Sequence, residues 1–517
     1  MPRRPPFAFC LAAGNAISQS DSAMEILSAG GALRIPLNFA EVLKPQLGFW
    51  MRFTKEEEKT VPDWSNPGQV KVITVRSKVP SVERVNLYEE DEDWLWTHNG
   101  LFHRVEKLLT TMGIEVTCRR SGKSFASPVP TPAVVAGLYP EQRDCVRRLL
   151  STMCGGMAEN ATGTGKTRII ASLCRAYPNS NILVVTRKRP VVIHLHRELN
   201  ELVKGPDPEK PIVGIYLAGK KKKAFRINVC TAAMLGRPES VPRDWPDVII
   251  FDECHGAAGQ EIAEDLQEFA GIVKYGLSGT ICKRWDNKEL LLESIFGPIV
   301  SRLSDIDATE LSRVVPLDVF VFRNNKGPLV SSTNPATQER QGITTNRTRN
   351  AAIKDVVDLI PDDQQAIIFV RTLEHARLLE STFLPGIEIF HGDLDPNDYS
   401  RILLDIESGA LKRVIATNTL GEGVDPKALR YVIDGDWSSS RTSCIQRAGR
   451  VRRFAPGKTR GYLIAFSDEF DERFARKSVQ RLGHYKHAGY NLMQVSSARE
   501  IFQVINSQQV APPTDVP

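Results

Sequence analysis

Residues 161–167 read Ala-Thr-Gly-Thr-Gly-Lys-Thr and lie between a short apolar run, ending at Ala158, and a helical stretch. Glycines at such a junction let the backbone curl, so that several N–H groups can point at one phosphate. Lys166 supplies a charge for the β- and γ-phosphates of a nucleotide, and the hydroxyl of Thr167 can bind Mg²⁺. The usual pattern starts with a glycine, where this chain has Asn160. The residues predicted to hold the phosphates are Thr162, Gly163, Thr164, Gly165, Lys166 and Thr167.

Short apolar runs alternate with helical stretches on both sides of this loop. The runs lie at 182–185, 227–230, 248–251, 367–370, 414–416 and 462–466. Such alternation predicts parallel sheets with helices on both faces. A polar stretch at 324–350 divides the series in two. We therefore predict an α/β fold with two tandem parallel-sheet lobes, at 133–323 and 351–480, joined by a linker at 324–350.

The residues before the first lobe differ in texture. β-type runs alternate with charged turns from about residue 31, and apolar residues recur at helical spacing between Leu101 and Met112. A proline-rich stretch at 128–132 ends the region, because proline disfavours both helix continuation and central strand pairing. We predict a small α+β accessory domain at 31–132 after a flexible tail at 1–30, and a C-terminal helix and tail at 481–517.

Composition is that of a soluble globular protein. The 517 residues are 42% hydrophobic and 25% charged, and 67 basic against 61 acidic residues leave a net charge of +6. This length suggests about three domains. No run approaches the roughly 20 apolar residues that cross a bilayer, and the nine scattered cysteines form no CxxC pair. A signal-like start at Arg3–Ala13 is short, and Met24 could be the first residue, so we expect an intracellular protein.

An acidic pair follows the apolar run 248–251. Asp252 and Glu253 would stand at the carboxyl end of a buried strand, where parallel sheets bind their ligands. Asp252 can hold Mg²⁺ together with Thr167, and Glu253 can take a proton from an attacking water. An acidic pair at this place can also cap a helix. Its position 86 residues after Lys166 favours the catalytic interpretation.

The phosphate loop and the Asp-Glu-Cys-His at 252–255 resemble superfamily 2 helicases and translocases of the DExH type. The resemblance implies two RecA-like lobes that bind ATP and Mg²⁺. It makes Gln142 the candidate for reading adenine, and Ser278 and Thr280 the link between hydrolysis and lobe movement. The resemblance also places Thr186, Arg187, Lys188 and Thr231 on the nucleic-acid backbone, although these residues could instead cap strand ends.

Two segments of the second lobe extend the resemblance. The stretch 416–426 resembles the family segment in which Thr417 contacts a nucleic-acid phosphate and Asp425 lies near the nucleotide. Residues 446–453, Gln-Arg-Ala-Gly-Arg-Val-Arg-Arg, match the closing family signature Q-R-x-G-R-x-x-R. Gln446 is then a coupling residue, and Arg450 and Arg453 are arginine-finger candidates that stabilise charge on the transferring phosphoryl group. Taken alone, an arginine-rich helix is more often a basic binding face.

Further stretches, among them Ile295–Val300 and Glu374–Ala376, resemble the branch with the phage recombination helicases and the DNA translocase subunit of the eukaryotic transcription/repair factor. The resemblance implies an ATP-dependent DNA helicase moving 3′→5′ in recombination, repair or replication, located in the cytoplasm, or in a host cytoplasm if phage-encoded. It implies DNA as the partner and no membrane.

Three other functions stay open at this point. An RNA helicase would carry the same core motifs. A scaffold could bind nucleotide and nucleic acid without turnover, although Lys166, Glu253 and both arginine-finger candidates argue against it. A restriction-type motor subunit would need partner chains. The sequence does not indicate protein partners, oligomeric state or the preferred junction.

Overall fold

A computed structural model describes residues 23–510 except 30–31, 64–70, 122–125, 153, 206–210, 217–224, 240, 270, 282–285, 329, 331, 333, 418–425 and 427. The chain forms two compact units. The first comprises residues up to 159, 167–189 and 195–302. The second comprises 160–166, 190–194 and the residues from 303 onward.

A small α+β domain opens the first unit. Its elements are β1 (Ala23–Ala29), β2 (Ala32–Pro36), α1 (Ala40–Leu43), β3 (Gly48–Asp63), β4 (Lys71–Asn86), β5 (Tyr88–Glu90), β6 (Trp94–His98), α2 (Phe102–Thr111) and β7 (Glu115–Ser121). Five strands form a mixed sheet in the order β5-β6-β2-β1-β7. Its core contains Leu33, Leu95 and the buried face of α2, Val105 and Leu109, so the predicted helical spacing points inward.

The small domain starts earlier than the sequence analysis placed it. Strand β1 pairs antiparallel with β2 and parallel with β7, and Met24 and Ile26 are buried in the domain core. The predicted tail at 1–30 was therefore wrong from residue 23 on. Pairing with β7, some 90 residues away in sequence, leaves no local signal that would identify β1.

A long two-stranded ribbon was not predicted. Strands β3 and β4 each have 16 residues and pair antiparallel over their whole length, from Gly48 opposite Asn86 to Asp63 opposite Lys71. The sequence analysis had noted only isolated β-type runs and charged turns here. Strand β3 could not be predicted because it is rich in charged residues and lacks the apolar alternation of a half-buried strand.

The first parallel sheet follows the small domain. Its elements are α3 (Pro140–Leu150), β8 (Gly155–Asn160), α4 (Lys166–Ala176), β9 (Ile182–Thr186), α5 (Arg189–Leu202), β10 (Val213–Tyr216), β11 (Ile227–Thr231), β12 (Val248–Asp252), α6 (Gln260–Gln267), β13 (Val273–Ser278), α7 (Glu289–Phe296), β14 (Ile299–Leu303) and α8 (Asp305–Glu310). The strand order is β10-β11-β9-β12-β13-β8-β14, and each pairing from β10 to β8 is parallel.

The second parallel sheet also has seven strands. Its elements are β15 (Leu317–Asn324), α9 (Pro335–Glu339), α10 (Arg347–Leu359), β16 (Gln365–Phe369), α11 (Leu373–Leu378), β17 (Glu388–Phe390), α12 (Pro396–Ser408), β18 (Arg413–Ala416), β19 (Leu429–Asp434), α13 (Arg441–Arg450), β20 (Gly461–Asp468), α14 (Glu472–His487), β21 (Asn491–Val495) and α15 (Ala498–Val510). The order is β17-β18-β16-β19-β20-β15-β21. Successive residues of β16, Ile367 and Ile368, enter two separate cores, so both faces of the sheet are covered. Tandem parallel-sheet lobes behind a small α+β domain confirm the predicted fold class.

The boundaries predicted for the second lobe were wrong at both ends. Strand β15, assigned to the first lobe, pairs with β20 and β21 of the second sheet. Residues 481–517 contain β21, an edge strand of that sheet, besides the expected helix. The predicted linker at 324–350 contains α9 and the start of α10, because its asparagines cap helices: Asn334 and Asn346 accept hydrogen bonds from the first-turn backbone N–H groups of α9 and α10.

Candidate functional site

The phosphate-binding loop has the predicted setting between β8 and α4. Gly163 and Gly165 have φ angles of +90° and +80°, a region that side chains with a Cβ rarely adopt. The hydroxyl of Thr164 donates a hydrogen bond of 2.7 Å to the carbonyl of Ala161 and closes the turn. Helix α4 begins at Lys166, so the N–H groups of its first turn have no carbonyl partner within the helix. This geometry suits the phosphates of a nucleotide.

The carboxyl edge of the first sheet brings the other predicted residues of this lobe into one row. Strand pairing aligns Thr231, the last residue of β11, with Thr186, the last residue of β9. Next along the edge comes Asp252 at the end of β12, in register with the residue before Ser278 on β13. Ser278 in turn is in register with Glu159 of β8, which leads into the phosphate loop. Predicted nucleic-acid contacts therefore occupy one half of the edge and predicted catalytic groups the other half.

Ser278 is the centre of a hydrogen-bonded cluster beside Glu253. Its hydroxyl donates to Glu253 Oε2 at 2.9 Å and accepts from the backbone N–H of Thr280 at 3.2 Å. His255 Nδ1 lies 2.9 Å from the same hydroxyl and 3.3 Å from Glu253 Oε2. Since the single hydroxyl proton goes to Glu253, His255 Nδ1 must carry a proton and act as the donor. The cluster joins the predicted base to both predicted coupling residues, Ser278 and Thr280.

Backbone geometry fixes Glu253 in this position. Its φ and ψ are 55° and 51°, in the left-handed region that is uncommon for residues with a side chain. The turn that follows is close-packed, because a Cβ at Gly276 would lie 2.9 Å from Cys254 Sγ. An uncommon conformation held at the end of a buried strand is typical of residues with a chemical role.

Asp252 and Thr167 carry oxygen donors of the kind that Mg²⁺ prefers. Among the described residues, no group of three or more His, Cys, Asp and Glu could hold a metal ion. Mg²⁺ needs no such cage, since it binds through one or two protein oxygens together with phosphate oxygens and water. Asp252 at the end of β12 and Thr167 in the first turn of α4 supply a carboxylate and a hydroxyl of this kind.

Two members of the site were missed from the sequence. Glu159, the residue before the end of β8, accepts a hydrogen bond of 2.9 Å from the N–H of Ile281 and ties the phosphate strand to the Ser278–Thr280 segment. His255 was quoted as part of 252–255 but was given no role. The acidic Glu159 in an otherwise buried strand was the available signal.

The predicted nucleic-acid residues differ in exposure. Arg187 is exposed, and it packs on the turn after Glu253, since a Cβ at Gly256 would come 2.2 Å from Arg187 Cδ. Lys188 and Thr231 are half-buried. Thr186 is buried, which favours the strand-end role considered above. Arg187 thus connects the predicted nucleic-acid half of the edge with the predicted catalytic half.

Gln142 has a structural role in this structure. It is buried at the start of α3, and its Oε1 accepts a hydrogen bond of 3.0 Å from the backbone N–H of Tyr139. This bond closes the N-terminus of the helix. Contact with adenine stays a prediction.

The arginines of the closing signature separate into two pairs. Arg447 is buried, with Nε 3.0 Å from Asp434 Oδ1 and Nη1 2.9 Å from Asp436 Oδ2. Burial opposes its charge, but the two aspartates outweigh it and raise the pKa of Arg447. Arg452 is also buried, hydrogen-bonded to Asp305. Both arginines therefore form buried ion pairs within the second unit.

Arg450 and Arg453 are the arginine-finger candidates. Arg450, the last residue of α13, is buried, and Arg453 is half-buried just beyond it. Within the second compact unit, which includes the phosphate loop, a Cβ at Gly163 would lie 3.8 Å from Arg453 Cγ. Arg453 therefore lies beside the loop that is predicted to hold phosphate.

The remaining predicted residues of the second lobe are Gln446, Thr417 and Asp425. Gln446 is half-buried on α13. Thr417 is buried directly after β18, and its N–H donates to the carbonyl of Phe390. Asp425 lies outside the described residues, as do Gly421 and Gly423.

Comparison with known proteins agrees with this geometry. Residues 136–283 match the family model for the res subunit of Type III restriction enzymes, and residues 349–455 match the helicase conserved C-terminal domain. The second match is to a domain of helicases, so residues 349–455 are similar in sequence to that domain. The matched ranges contain the predicted catalytic residues of both lobes.

Individual helicases match parts of the chain. The ATP-dependent RNA helicase uap56 of Schizosaccharomyces pombe is 28% identical over 171 residues, 32% of this chain and 37% of that protein. The chain covers between 26% and 37% of the first curated relatives. Among solved structures, Dbp5 of S. cerevisiae bound to RNA and ADP BeF3 has a TM-score of 0.55 at 18% identity, covering 75% of this chain and 99% of that chain.

A fragment of a putative HsdR subunit of a type I restriction enzyme from Vibrio vulnificus covers more of the chain. Its TM-score is 0.52 at 16% identity, over 89% of this chain and 98% of that chain. At these identities the likenesses describe the fold. Among the described residues, no helix has the length and apolar character needed to span a membrane.

Proposed function

We propose that the chain is an ATP-dependent DNA helicase or translocase that couples hydrolysis between two RecA-like lobes to movement on DNA. The cluster of Glu253, His255 and Ser278 is the observation that carries the proposal. It lies at the carboxyl edge of the first sheet, between the phosphate loop and the exposed Arg187. Glu253, the proposed acceptor of the proton from water, is thereby hydrogen-bonded through Ser278 to the segment that follows β13.

Each residue then has one task in hydrolysis. Lys166 and the N–H groups of the loop hold the β- and γ-phosphates, and Glu253 takes the proton of the attacking water. Arg450 and Arg453 stabilise the charge that develops on the γ-phosphoryl group. Asp252 and Thr167 would hold Mg²⁺, which would supply positive charge against the phosphates.

Movement requires hydrolysis to change the grip on the track. Ser278 bonds to Glu253 and to the N–H of Thr280, so loss of the γ-phosphate near Glu253 alters a contact at the start of the segment that follows β13. Directional stepping then follows, because one lobe binds the polymer tightly in the ATP state and the other lobe binds it tightly in the ADP state. The expected direction is 3′→5′.

The choice of DNA rests on similarity to restriction enzymes. The first lobe matches the restriction-enzyme family model, and the HsdR fragment, also from a restriction enzyme, has a fold that extends over 89% of the chain. The RNA-bound Dbp5 structure covers 75%. Restriction enzymes act on DNA. Roles in recombination, repair or replication belong to the same proposal.

An RNA helicase is the second candidate. It is favoured by the curated match to uap56, an RNA helicase. Backbone grip through Arg187, Lys188, Thr231 and Thr417 would suit either polymer, since phosphate contacts carry no sequence information. A non-hydrolysing scaffold would not need the cluster around Glu253, and a restriction-type subunit would need partner chains for its full activity.

Parallel ATPase titrations with DNA and RNA test the choice of polymer. Matched single strands, duplexes and forks of both polymers are compared at one salt concentration, because each phosphate contact releases counterions and makes binding salt-dependent. We expect much stronger stimulation by DNA. Equal or greater stimulation by RNA would replace the DNA assignment with the RNA helicase and leave the motor chemistry intact.

A further inference from the structure

A buried lysine follows the closing signature of the second lobe. Lys458 is 5% exposed, in the loop that connects α13 to β20. Its Nζ has no hydrogen-bond partner among the residues that the structure describes. A buried ammonium group without a partner is strongly unfavourable, because burial removes water and nothing replaces it.

The charges around Lys458 make this environment less favourable still. The side chains that act on it electrostatically are Arg430 on β19 and Arg453 beyond α13, both cationic. Burial, Arg430 and Arg453 together lower the pKa of Lys458 to about 7. The cluster of Arg430, Arg453 and Lys458, called here the cationic cluster, therefore has three positive groups and no described carboxylate that offsets the charge of Lys458.

The loop is built to keep Lys458 in place. Gly457 has a φ of +69°, so the chain turns sharply just before the lysine. The guanidinium of Arg430 donates a hydrogen bond of 2.5 Å to the carbonyl of Gly457. The N–H of Lys458 donates to the carbonyl of Ala455. An ordered backbone that holds a buried, repelled cation suggests that an anion completes the site.

The phosphate loop indicates which anion this is. Within the second compact unit, the side chain of Arg453 passes next to Gly163 of that loop. Arg453 belongs to the cationic cluster and also lies next to the phosphate loop. A phosphate group held by the loop would therefore lie close to the cluster. The backbone of a nucleic acid offers the same chemical group, so binding of DNA without nucleotide distinguishes the two sources of phosphate.

We propose that Lys458 is a further phosphate-binding residue, which contacts the phosphate chain of the bound nucleotide together with Arg453. The proposal rests on the proposed ATP-binding motor and adds a cation outside the closing signature. Two consequences follow. Nucleotide binding recruits a proton to Lys458, because a phosphate favours the charged ammonium. In the nucleotide-free protein, the buried Lys458 lowers the free energy of unfolding.

Calorimetry on Lys458→Gln tests the first consequence, with Lys486→Gln, an exposed lysine on α14, as the matched control. Mg-ADP is titrated at pH 8 in two buffers of different ionisation enthalpy, which gives the protons taken up per nucleotide. The wild type and the control should take up close to one proton, as expected for a group that is about 90% neutral at this pH when free. Lys458→Gln should lose that uptake and bind Mg-ADP roughly tenfold more weakly.

Thermal unfolding without nucleotide tests the second consequence. Lys458→Gln should unfold at the same or a higher temperature than the wild type, since it removes an amine that must lose its proton when it is buried. A lower unfolding temperature, with unchanged affinity for Mg-ADP, would make Lys458 a structural residue and overturn the proposal.

Binding of single-stranded DNA in the absence of nucleotide separates the two sources of phosphate. Lys458→Gln should bind DNA like the wild type. Weakened DNA binding with unchanged affinity for Mg-ADP would place Lys458 on the track and contradict the proposal. If the wild type binds no nucleotide, the proposed motor function fails as well; if it binds and Lys458→Gln matches it in affinity and proton uptake, only the role of Lys458 fails.

Discussion

Ser278 shows at the residue scale what the motif pattern alone could not define. A serine before Thr280 was predicted to couple hydrolysis to movement, but its partners lie 23 and 25 residues earlier in the chain, at His255 and Glu253. The spacing of these residues in the sequence does not predict the hydrogen bonds of Ser278 with His255 and Glu253. They depend on the register of β12 with β13, which places the two strand ends side by side.

Replacing Ser278 with alanine should slow ATP turnover without unfolding the protein. The change removes a hydrogen bond to a carboxylate, a class of bond worth about 1.5–3 kcal/mol, and we expect kcat to fall by roughly 10- to 100-fold. Steady-state ATPase with saturating nucleic acid measures the effect. Ser172→Ala is the control, since Ser172 is buried on α4 and its hydroxyl has no partner among the described residues. Equal turnover in the two variants would remove Ser278 from the catalytic cluster.

The arginines after Gln446 allow a second prediction at this scale. Arg453→Ala should lower kcat by about 10³-fold with little change in ATP affinity, because an arginine finger acts mainly in the transition state. Arg450→Ala should do likewise. Arg447→Ala should instead destabilise the protein by about 3–5 kcal/mol, because it leaves two buried aspartates without their partner.

ATPase rates and thermal unfolding, measured on the same preparations, separate these effects. Unchanged turnover of Arg453→Ala at saturating DNA, with weaker DNA binding, would show that the helix end is a basic binding face. In that case α13 would bind nucleic acid, as arginine-rich helices more often do, and would not supply an arginine finger.

At the scale of elements, α7 connects the small domain to the first sheet. Arg104 of α2 pairs with Glu293 through Nε–Oε1 at 2.5 Å and Nη2–Oε2 at 2.8 Å, and His103 Nε2 lies 3.0 Å from the same carboxylate. Burial opposes the charge of Glu293, but the bonds from His103 and Arg104 outweigh it and lower the pKa of its carboxyl. This pairing therefore persists at neutral pH and is lost only when acid protonates Glu293. A Cβ at Gly100 would come 2.3 Å from the carbonyl of Glu293, so the two surfaces are in close contact.

This contact changes what we expect of a truncated motor. The proline-rich connection at 128–132 predicts a foldable core beyond residue 132, but Leu290 and Leu291 of α7 pack against the core of the small domain. Deleting residues 1–132 would expose both leucines to water. We expect the truncated protein to fold with a lower unfolding temperature and weaker affinity for branched DNA. Basal ATPase should change less than this affinity. Unwinding with full affinity would contradict the accessory role.

Arg104→Ala loosens the same contact in the full chain. Loss of the paired hydrogen bonds should cost about 1–3 kcal/mol of docking free energy, so limited proteolysis should cut faster near the connection at 128–132. Lys107→Ala, an exposed change on the same helix, is the control. Identical cleavage rates would mean that the pairing contributes nothing measurable to docking.

Element boundaries were the least predictable part of the fold. Alternating apolar runs correctly predicted two parallel sheets, because buried strands leave continuous apolar segments. They could not show that β15 pairs with β20, some 140 residues later, rather than with a strand of the first sheet. Chain order does not decide which sheet a strand joins. The asparagines of 324–350 suggested a linker, although Asn334 and Asn346 cap helices.

At the scale of the whole molecule, sequence and structure agree best where chemistry restricts the residues most. The phosphate loop and the acidic pair lie at the strand ends where the sequence placed them, and the closing signature lies at the end of α13. Their chemical roles stay predictions. The cationic cluster around Lys458 was missed, since a single lysine in a loop carries no pattern. The choice between DNA and RNA depends on surfaces outside the motifs, because helicases of both kinds carry the same core motifs.

ATP turnover by the wild type and by Glu253→Gln, each with and without saturating single-stranded DNA, tests the central claim most directly. The wild type should hydrolyse ATP, and DNA should stimulate it strongly. Glu253→Gln should bind ATP normally and hydrolyse almost none, because phosphate grip and proton removal are separate tasks. Lys166→Ala should also lose turnover, through loss of phosphate binding. Near-normal hydrolysis by Glu253→Gln, or wild-type turnover that ignores nucleic acid, would contradict a motor driven from the Glu253 cluster.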